Sequence, residues 1–256
     1  MSSSLAYTSS SLKSAQLSVV NRMLALNADP PPGESSTNEN DLDSYSVLPI
    51  NSTPAGSAHN QWKILIYDKP CRSIISPLLS VSQLRSRGVT LHLLLSSDRE
   101  PIPDVPAVYF VEPTRANLAI IAQDCALGLY AAAHINFVTR LPRDLMEEFA
   151  HLVVQSGSLG KIAGVHDQYL DYVCLERNLF TLNKKESYVI YNNSGVTEAA
   201  IETVMSEIAF GLFSVVATQG QVPVIRCPKV GGHYFDSFSN LVYCLCSNAV
   251  LPNEQS

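Results

Sequence analysis

The sequence predicts an α/β fold: a five-stranded, mainly parallel sheet flanked by helices. Three observations carry that expectation. Short apolar runs of strand length alternate with longer stretches of helical period between residues 62 and 174, as in sheets whose strands are joined through helices. The runs at 89–95 (VTLHLLL) and 107–111 (AVYFV) are apolar at nearly every position, so they read as strands buried on two faces at the centre of the sheet, and 62–67 (WKILIY) is a further apolar run of strand length. The alternation spans about 115 residues, the size of one α/β domain.

Composition bounds the function. A chain of 256 residues with 46% hydrophobic and 16% charged content can bury a substantial core. A formal charge of -6 and the absence of any Lys/Arg cluster exclude a nucleic-acid footprint. Cys71, Cys125, Cys174, Cys227, Cys244 and Cys246 follow no repeated spacing, which favours free thiols in a reducing compartment and makes the cytoplasm the expected location. No continuous apolar run reaches the roughly 18 to 20 residues of a membrane helix, and the N-terminal region lacks the apolar centre of a secretory signal. Membrane association is therefore expected only through partners.

Taken in order, Leu12, Ala15, Val19, Met23 and Leu26 recur at three- and four-residue steps, predicting a helix over 11–26 that docks on the body. Residues 29–60, rich in Pro, Ser, Asn and acid, bury too little apolar surface to offset ordering entropy and read as a disordered linker. After the first strand, 71–87 is long enough for a helix. The connection 96–106 is polar with three prolines, and it is either a rigid link or an exposed active loop. Because a parallel crossover usually takes a dozen residues or more, this spacing leaves the direction of 107–111 open. Thr114 is suited to cap a helix over 114–130; 134–138 reads as a fourth strand. Pro142 suits the first turn of a helix over 143–155. A short helical turn follows the SGSLG break, and 169–174 is the fifth strand candidate. Thr197 begins a long helix with one stripe of Ile201, Val204, Ile208, Leu212 and Val215, and 222–227 (VPVIRC) is a further strand. Residues 229–256 have no clean period.

Motifs for chemistry are sparse. No glycine-rich turn follows WKILIY, and Gly157-Ser-Leu-Gly160-Lys161 lacks both the spacing and the Ser/Thr of a phosphate loop. No Gly-x-Ser-x-Gly elbow occurs. Cys227 and His233, and the pair Cys244 and Cys246, fall short of zinc-ribbon spacing; neither a cofactor nor a metal is expected. His92 and His134 lie within strands and read as satisfied core histidines. Asp98, Glu100 and Asp104 share one loop and could act as acid/base partners, although a solvated loop is the plainer reading. An α/β enzyme working at strand C-terminal ends, with Asp68, Asp98 and Asp104 as candidates, is the alternative function class.

One helix carries surplus apolar surface. On 143–155, Leu145, Phe149 and Leu152 form one stripe and Met146, Ala150 and Val153 a second beside it, wider than a sheet contact requires. Either the following 159–165 segment covers the remainder, or a shallow groove for a partner's side chain lies between the two, with methionine at an adaptable rim.

The blocks LNADP, WKILIYDK, ISPLLSVSQLRSRGVTLHLLLSSDREPIPDVPAVYFVEPT, INFVTRLPRDLMEEFA, VHDQYLDYVCLE and VPVIRC resemble the N-terminal part of the Sec/Munc (SM) family, nearest its Sly-type branch of ER-to-Golgi transport. The resemblance covers about residues 17–232 and resolves the open strand direction in favour of a parallel sheet. It implies a non-enzymatic regulator of SNARE-mediated vesicle fusion, peripheral at ER and Golgi membranes. Its partner would be the N-terminal peptide of a Golgi syntaxin, with SNARE complexes and tethering factors as further partners. It also implies that the peptide inserts an aromatic residue into a pocket matched here by Met146, Phe149, Ala150, Ile162 and Val165. Phe149 stands where the family has a smaller aliphatic residue, which implies a shallower pocket. Members are well over twice this length, and the sequence after Lys229-Val-Gly-Gly232 departs from them. The expected organisation is therefore an N-terminal helix (1–28), a disordered linker (29–60), a peptide-binding α/β domain (61–180), the incomplete start of a second α/β domain (181–228) and an atypical tail (229–256), together a truncated form.

Overall fold

The structure, a computed structural model, describes residues 11–27 and 61–220. The predicted linker, the VPVIRC strand, the Cys227, His233, Cys244 and Cys246 set and the tail lie outside the described residues.

Five strands form one sheet: β1 (Lys63–Tyr67), β2 (Val89–Leu94), β3 (Ala107–Val111), β4 (Ala133–Phe137) and β5 (Ile162–Asp167). Their order is β2-β1-β3-β4-β5, with every neighbouring pair parallel. Helix α1 (Leu12–Leu24) precedes β1; α2 (Lys69–Ile75) and α3 (Val81–Ser86) join β1 to β2; α4 (Arg115–Leu127) joins β3 to β4; α5 (Arg143–Gln155) leads towards β5. A separate antiparallel hairpin, β6 (Val173–Glu176) and β7 (Leu179–Thr181), follows, then α6 (Glu186–Asn192) and α7 (Glu198–Gln219).

The period-two alternation of the strands divides the core into two layers. Leu65, Tyr67, Val108 and Phe110 face α1, α2 and the β6 segment. Ile64, Ile66, Tyr109, Val111, Ile135 and Phe137 face α4 and α5. Burial on both sides explains the unbroken apolar runs of β1 and β3. Strand β2 departs from the expectation: it is an edge, not a central strand, and Thr90, Leu91 and His92 are exposed. His92 is accordingly not a core histidine; its Nδ1 meets the Tyr67 hydroxyl at 2.8 Å.

Three other expectations are corrected. The helix expected over 71–87 is two helices, separated around Pro77, the second opened by a capping box of Ser80 and Gln83. The buried stripe of α1 is Leu12, Gln16, Val20, Met23 and Leu24, rotated from the apolar reading because Gln16 is polar yet buried, donating to the Tyr172 carbonyl at 2.7 Å. The fifth strand is Ile162–Asp167, not 169–174; Tyr169 has a positive φ of 51°, which ends the sheet's run before the separate hairpin begins.

Length and composition of α7 correct the expectation about membrane helices: it has 22 residues and an 18-residue window of mean hydropathy 1.6. Glutamates 198, 202 and 207 interrupt its apolar sequence, so no continuous run betrays it. In the fold α7 packs against α1. Its Gly211 sits so close to Leu182 and the Asp171 carbonyl that a Cβ would approach them to 2.8 and 3.2 Å.

The proline-bearing 96–106 loop is a structural crossover. In place of a helix it carries the chain from β2 past β1 to β3, with Leu95, Ile102 and Val105 packed into the α4/α5 layer. Arg99, whose side chain is buried, donates to both carboxylate oxygens of buried Asp124 in α4, and the Tyr109 hydroxyl donates to the same carboxylate at 2.9 Å. Asp98, Glu100 and Asp104 are exposed.

Candidate functional site

The surplus apolar width of α5 remains uncovered. Pro142 stands just before the helix with extended backbone (ψ 146°) rather than in its first turn, and Asp144 lies at the positive end of the helix dipole. Phe149 and Val153 face the sheet and are buried. One step around the helix, Met146 is 50% exposed and Ala150 is exposed as well. Leu152 points to the opposite flank and is 37% exposed. After α5, the turn of 3-10 helix at Leu159–Lys161 leads directly into β5, which stands beyond β4 and leaves a trough against α5.

A β-bulge makes the trough apolar. Ile162 stands opposite Ala133, but the residue opposite His134 is Gly164, so Ala163 is an insertion in the ladder. In a regular strand residues 162 and 165 would face opposite sides of the sheet. Because the bulge absorbs the extra residue, Ile162 stays opposite Ala133 on the α5 side, where Val165 and Asp167, opposite Ile135 and Phe137, also point. The result is a groove of about 300 Å³ lined by Leu141, Met146, Phe149, Ala150, Val153, Leu159, Ile162, Val165 and Asp167. That volume lies at the small end of ligand pockets and suits one side chain.

All five residues expected to form a pocket line this single groove. Phe149, only 5% exposed, forms its floor, while Met146, Ala150 and Val165 form the walls. Leu141, Val153, Leu159 and Asp167 complete it and were not in the expected set. The carboxylate of Asp167 accepts the Leu141 amide at 3.1 Å, which ties the entry of α5 to the end of β5. Loss of water raises its carboxyl above the ordinary range, against the lowering effects of the Leu141 amide, Arg140 and His166. It is the one ionisable group in an otherwise apolar lining.

The residues of the alternative enzyme site do not all stand at one end of the sheet. Asp68 caps α2 by accepting the Cys71 amide at 3.0 Å, and its other oxygen accepts from the Glu112 amide at 2.7 Å and the Asn117 side chain at 2.9 Å. It lies at the C-terminal end of β1, whereas Asp104 precedes the N-terminal end of β3. A polar cavity of about 470 Å³ does adjoin the strand C-terminal ends, lined among others by Lys69, Glu112, Asp171, Lys184 and Glu207. Lys184 is paired with Asp171 at 3.0 Å there. Among the described residues no group of three or more His, Cys, Asp or Glu is arranged to hold a metal. Cys71, Cys125 and Cys174 are buried, with thiol pKa values raised by desolvation, which keeps them protonated and unreactive.

The profile of the Sec1 family matches residues 63–244. The chain belongs to the Sec1 family. It is 48% identical over 184 residues to the SEC1 family transport protein SLY1 of Arabidopsis thaliana, covering 72% of this chain and 29% of that protein. It is 39% identical over 223 residues to protein sly1 of Schizosaccharomyces pombe, covering 87% of this chain and 32% of the relative. The chain thus spans about a third of the length of the curated relatives it matches. Among solved structures, Sly1p in complex with an N-terminal peptide of Sed5p superposes with a TM-score of 0.76 at 35% identity, covering 91% of this chain and 37% of that one.

Proposed function

We propose that this chain is the peptide-binding portion of an SM-type regulator of SNARE-mediated vesicle fusion, and that the groove between α5 and β5 receives an aromatic side chain from the N-terminal peptide of a Golgi syntaxin. The observation that carries the reading is the apolar trough itself. Met146, Phe149, Ala150, Ile162 and Val165, from two separate elements, converge on one cavity in a chain similar to a protein crystallised with an N-terminal peptide of Sed5p. The role is binding rather than catalysis, at ER and Golgi membranes through SNARE partners, with SNARE complexes and tethering factors as further contacts. The unit that binds is residues 61–180; 181–228 begin a second domain.

Burying one aromatic side chain contributes about 1.5 to 3 kcal/mol, whereas a micromolar complex needs about 8. The groove therefore fixes the peptide, and neighbouring peptide residues supply the rest of the affinity. Calorimetric titration with the Sed5p N-terminal peptide tests the reading. Saturable one-to-one binding that is lost when the peptide's aromatic residue is changed to alanine is the expected result; no binding, or equal binding of both peptides, refutes it.

A further inference from the structure

The edge of the sheet farthest from the groove is strand β2, paired with β1 only, and Thr90, Leu91 and His92 are exposed along it. The amide of Leu95, the residue after β2, donates to the Tyr67 carbonyl at 2.9 Å. In a parallel ladder alternate residues bond to opposite neighbours, so Leu93 and Leu91 also face β1. The main-chain N–H and C=O of His92 and Leu94 then point away from the sheet, and among the described residues no strand pairs with them. The one bulge of β2, where the ladder passes over Thr90, lies before this stretch and leaves 91–94 in regular register.

Such an edge accepts another strand unless Pro, Lys or inward-pointing charge guards it. Val89–Leu94 reads VTLHLL and has none of these. Its surroundings are apolar: Leu91 is 43% exposed, and Trp62, which is 71% exposed, lies beside Gly88 and Thr90 at the start of the strand. The residues that flank β2 in the chain are charged with opposite sign. Arg85, at the end of α3, is exposed and stands with Trp62 and Thr90 around one cavity. Asp98 and Glu100, just after β2, are exposed as well, whereas Arg99 between them is turned inward on Asp124. Arg85, Asp98 and Glu100 form no ion pair among the described residues. A strand flanked by a base before it and acids after it is complementary to a reversed copy of itself.

We infer that this edge is a contact between two copies of the chain: β2 pairs antiparallel with β2 of a second copy about a two-fold axis at Leu93, with His92 and Leu94 of each bonded to Leu94 and His92 of the other. A contact of this symmetry sets each patch against its own copy, so Arg85 of each chain comes to Asp98 and Glu100 of the other. The two sheets join as one, and Leu91 and Trp62 are withdrawn from water. The contact lies at the opposite edge from the α5 and β5 groove, so it is independent of what the groove binds and leaves the groove open in both copies.

Sedimentation velocity of the full chain at rising concentration tests the contact, with thermal unfolding as the control for folding. A reversible equilibrium between monomer and dimer is the expected result. Arg85→Asp and Asp98→Arg, both at exposed positions, each weaken the dimer by about tenfold by setting like charges opposite one another, and the two changes together restore it. His92→Pro removes an outward amide without touching the bonds to β1 and weakens the dimer by about tenfold; if that variant melts early, the charge exchange decides alone. A chain that stays monomeric at every concentration overturns the inference. So does a dimer indifferent to these variants, or one that the paired exchange fails to restore.

Discussion

Replacing Ala150 with lysine separates binding from folding more cleanly than any other change in the groove. Ala150 is exposed on α5, and lysine is nearly as good a helix former as alanine, so the free protein has no reason to lose stability. In the complex the same side chain must either bury an ammonium in a trough whose only ionisable partner is Asp167 or extend to water and occupy the space of the incoming aromatic. An unpaired polar group at a desolvated contact costs about 2 to 3 kcal/mol, or about 30- to 150-fold in Kd. Phe149 is the wrong residue for this purpose. At 5% exposure it belongs to the α4/α5 core layer, and Phe149→Ala is expected to cost about 3 to 5 kcal/mol of stability, so lost binding would report unfolding. The assay pairs calorimetry against the Sed5p peptide with thermal unfolding by circular dichroism. Ala150→Lys with an unaltered melting curve and unaltered affinity would place the ligand elsewhere.

Deleting Ala163 removes the inserted residue and leaves Ile162 and Val165 two apart on a regular strand, still opposite Ala133 and Ile135 and on the groove side; peptide affinity measured by calorimetry is expected to stay within about twofold, and a tenfold loss would show that the bulged backbone itself shapes the site. Asp124→Ala leaves buried Arg99 without its partner and is expected to destabilise by about 3 to 5 kcal/mol in urea unfolding, whereas replacing both residues by leucine recovers most of that loss. Lys63 offers a pH test. Its buried ammonium donates to the carbonyls of Leu24 at 2.8 Å and Arg87 at 3.0 Å, yet desolvation lowers its pKa from 10.5 to about 8. The unfolded chain therefore holds the proton to higher pH than the folded one, and stability attributable to Lys63 rises between pH 8 and 10.5, by about 3 kcal/mol over the whole window. The difference between wild type and Lys63→Met, followed by urea unfolding across that range, isolates this slope from the tyrosines and cysteines; a difference independent of pH would show that the two carbonyls hold the ammonium at its ordinary pKa.

How much of this was legible in the sequence depends on whether each residue's partner is near in the chain. Caps are local: Thr114 and Thr197 accept the amides of Asn117 and Ala200, as their positions predict. Strands buried on both sides announce themselves by composition, as β1 and β3 do. The same rule misplaced β2, whose leucines are apolar although the strand lies at an edge, because apolar composition carries no information on which neighbour covers it. Lys63 and Gln16 were unreadable for the converse reason: each is polar and buried, and donates to a carbonyl 39 and 156 residues away respectively.

The groove shows the same division within one site. Its helical wall was visible, because two adjacent stripes on α5 exceed what a sheet can cover. Its strand wall was not, since Gly164, His166 and Asp167 break any apolar alternation and residues 162 and 165 have the wrong parity for one face. Only the pairing of Gly164 with His134 reveals the bulge that absorbs the odd spacing. The resemblance to the Sec/Munc family named Ile162 and Val165 without explaining how they could act together, and the bulge supplies that explanation. It also accounts for why the site sits at this end of the sheet. An inserted residue is tolerated in a strand with one neighbour, where a single ladder absorbs the shift, whereas in β3 it would have to be accommodated by β1 and β4 together. The groove is therefore a consequence of β5 being outermost.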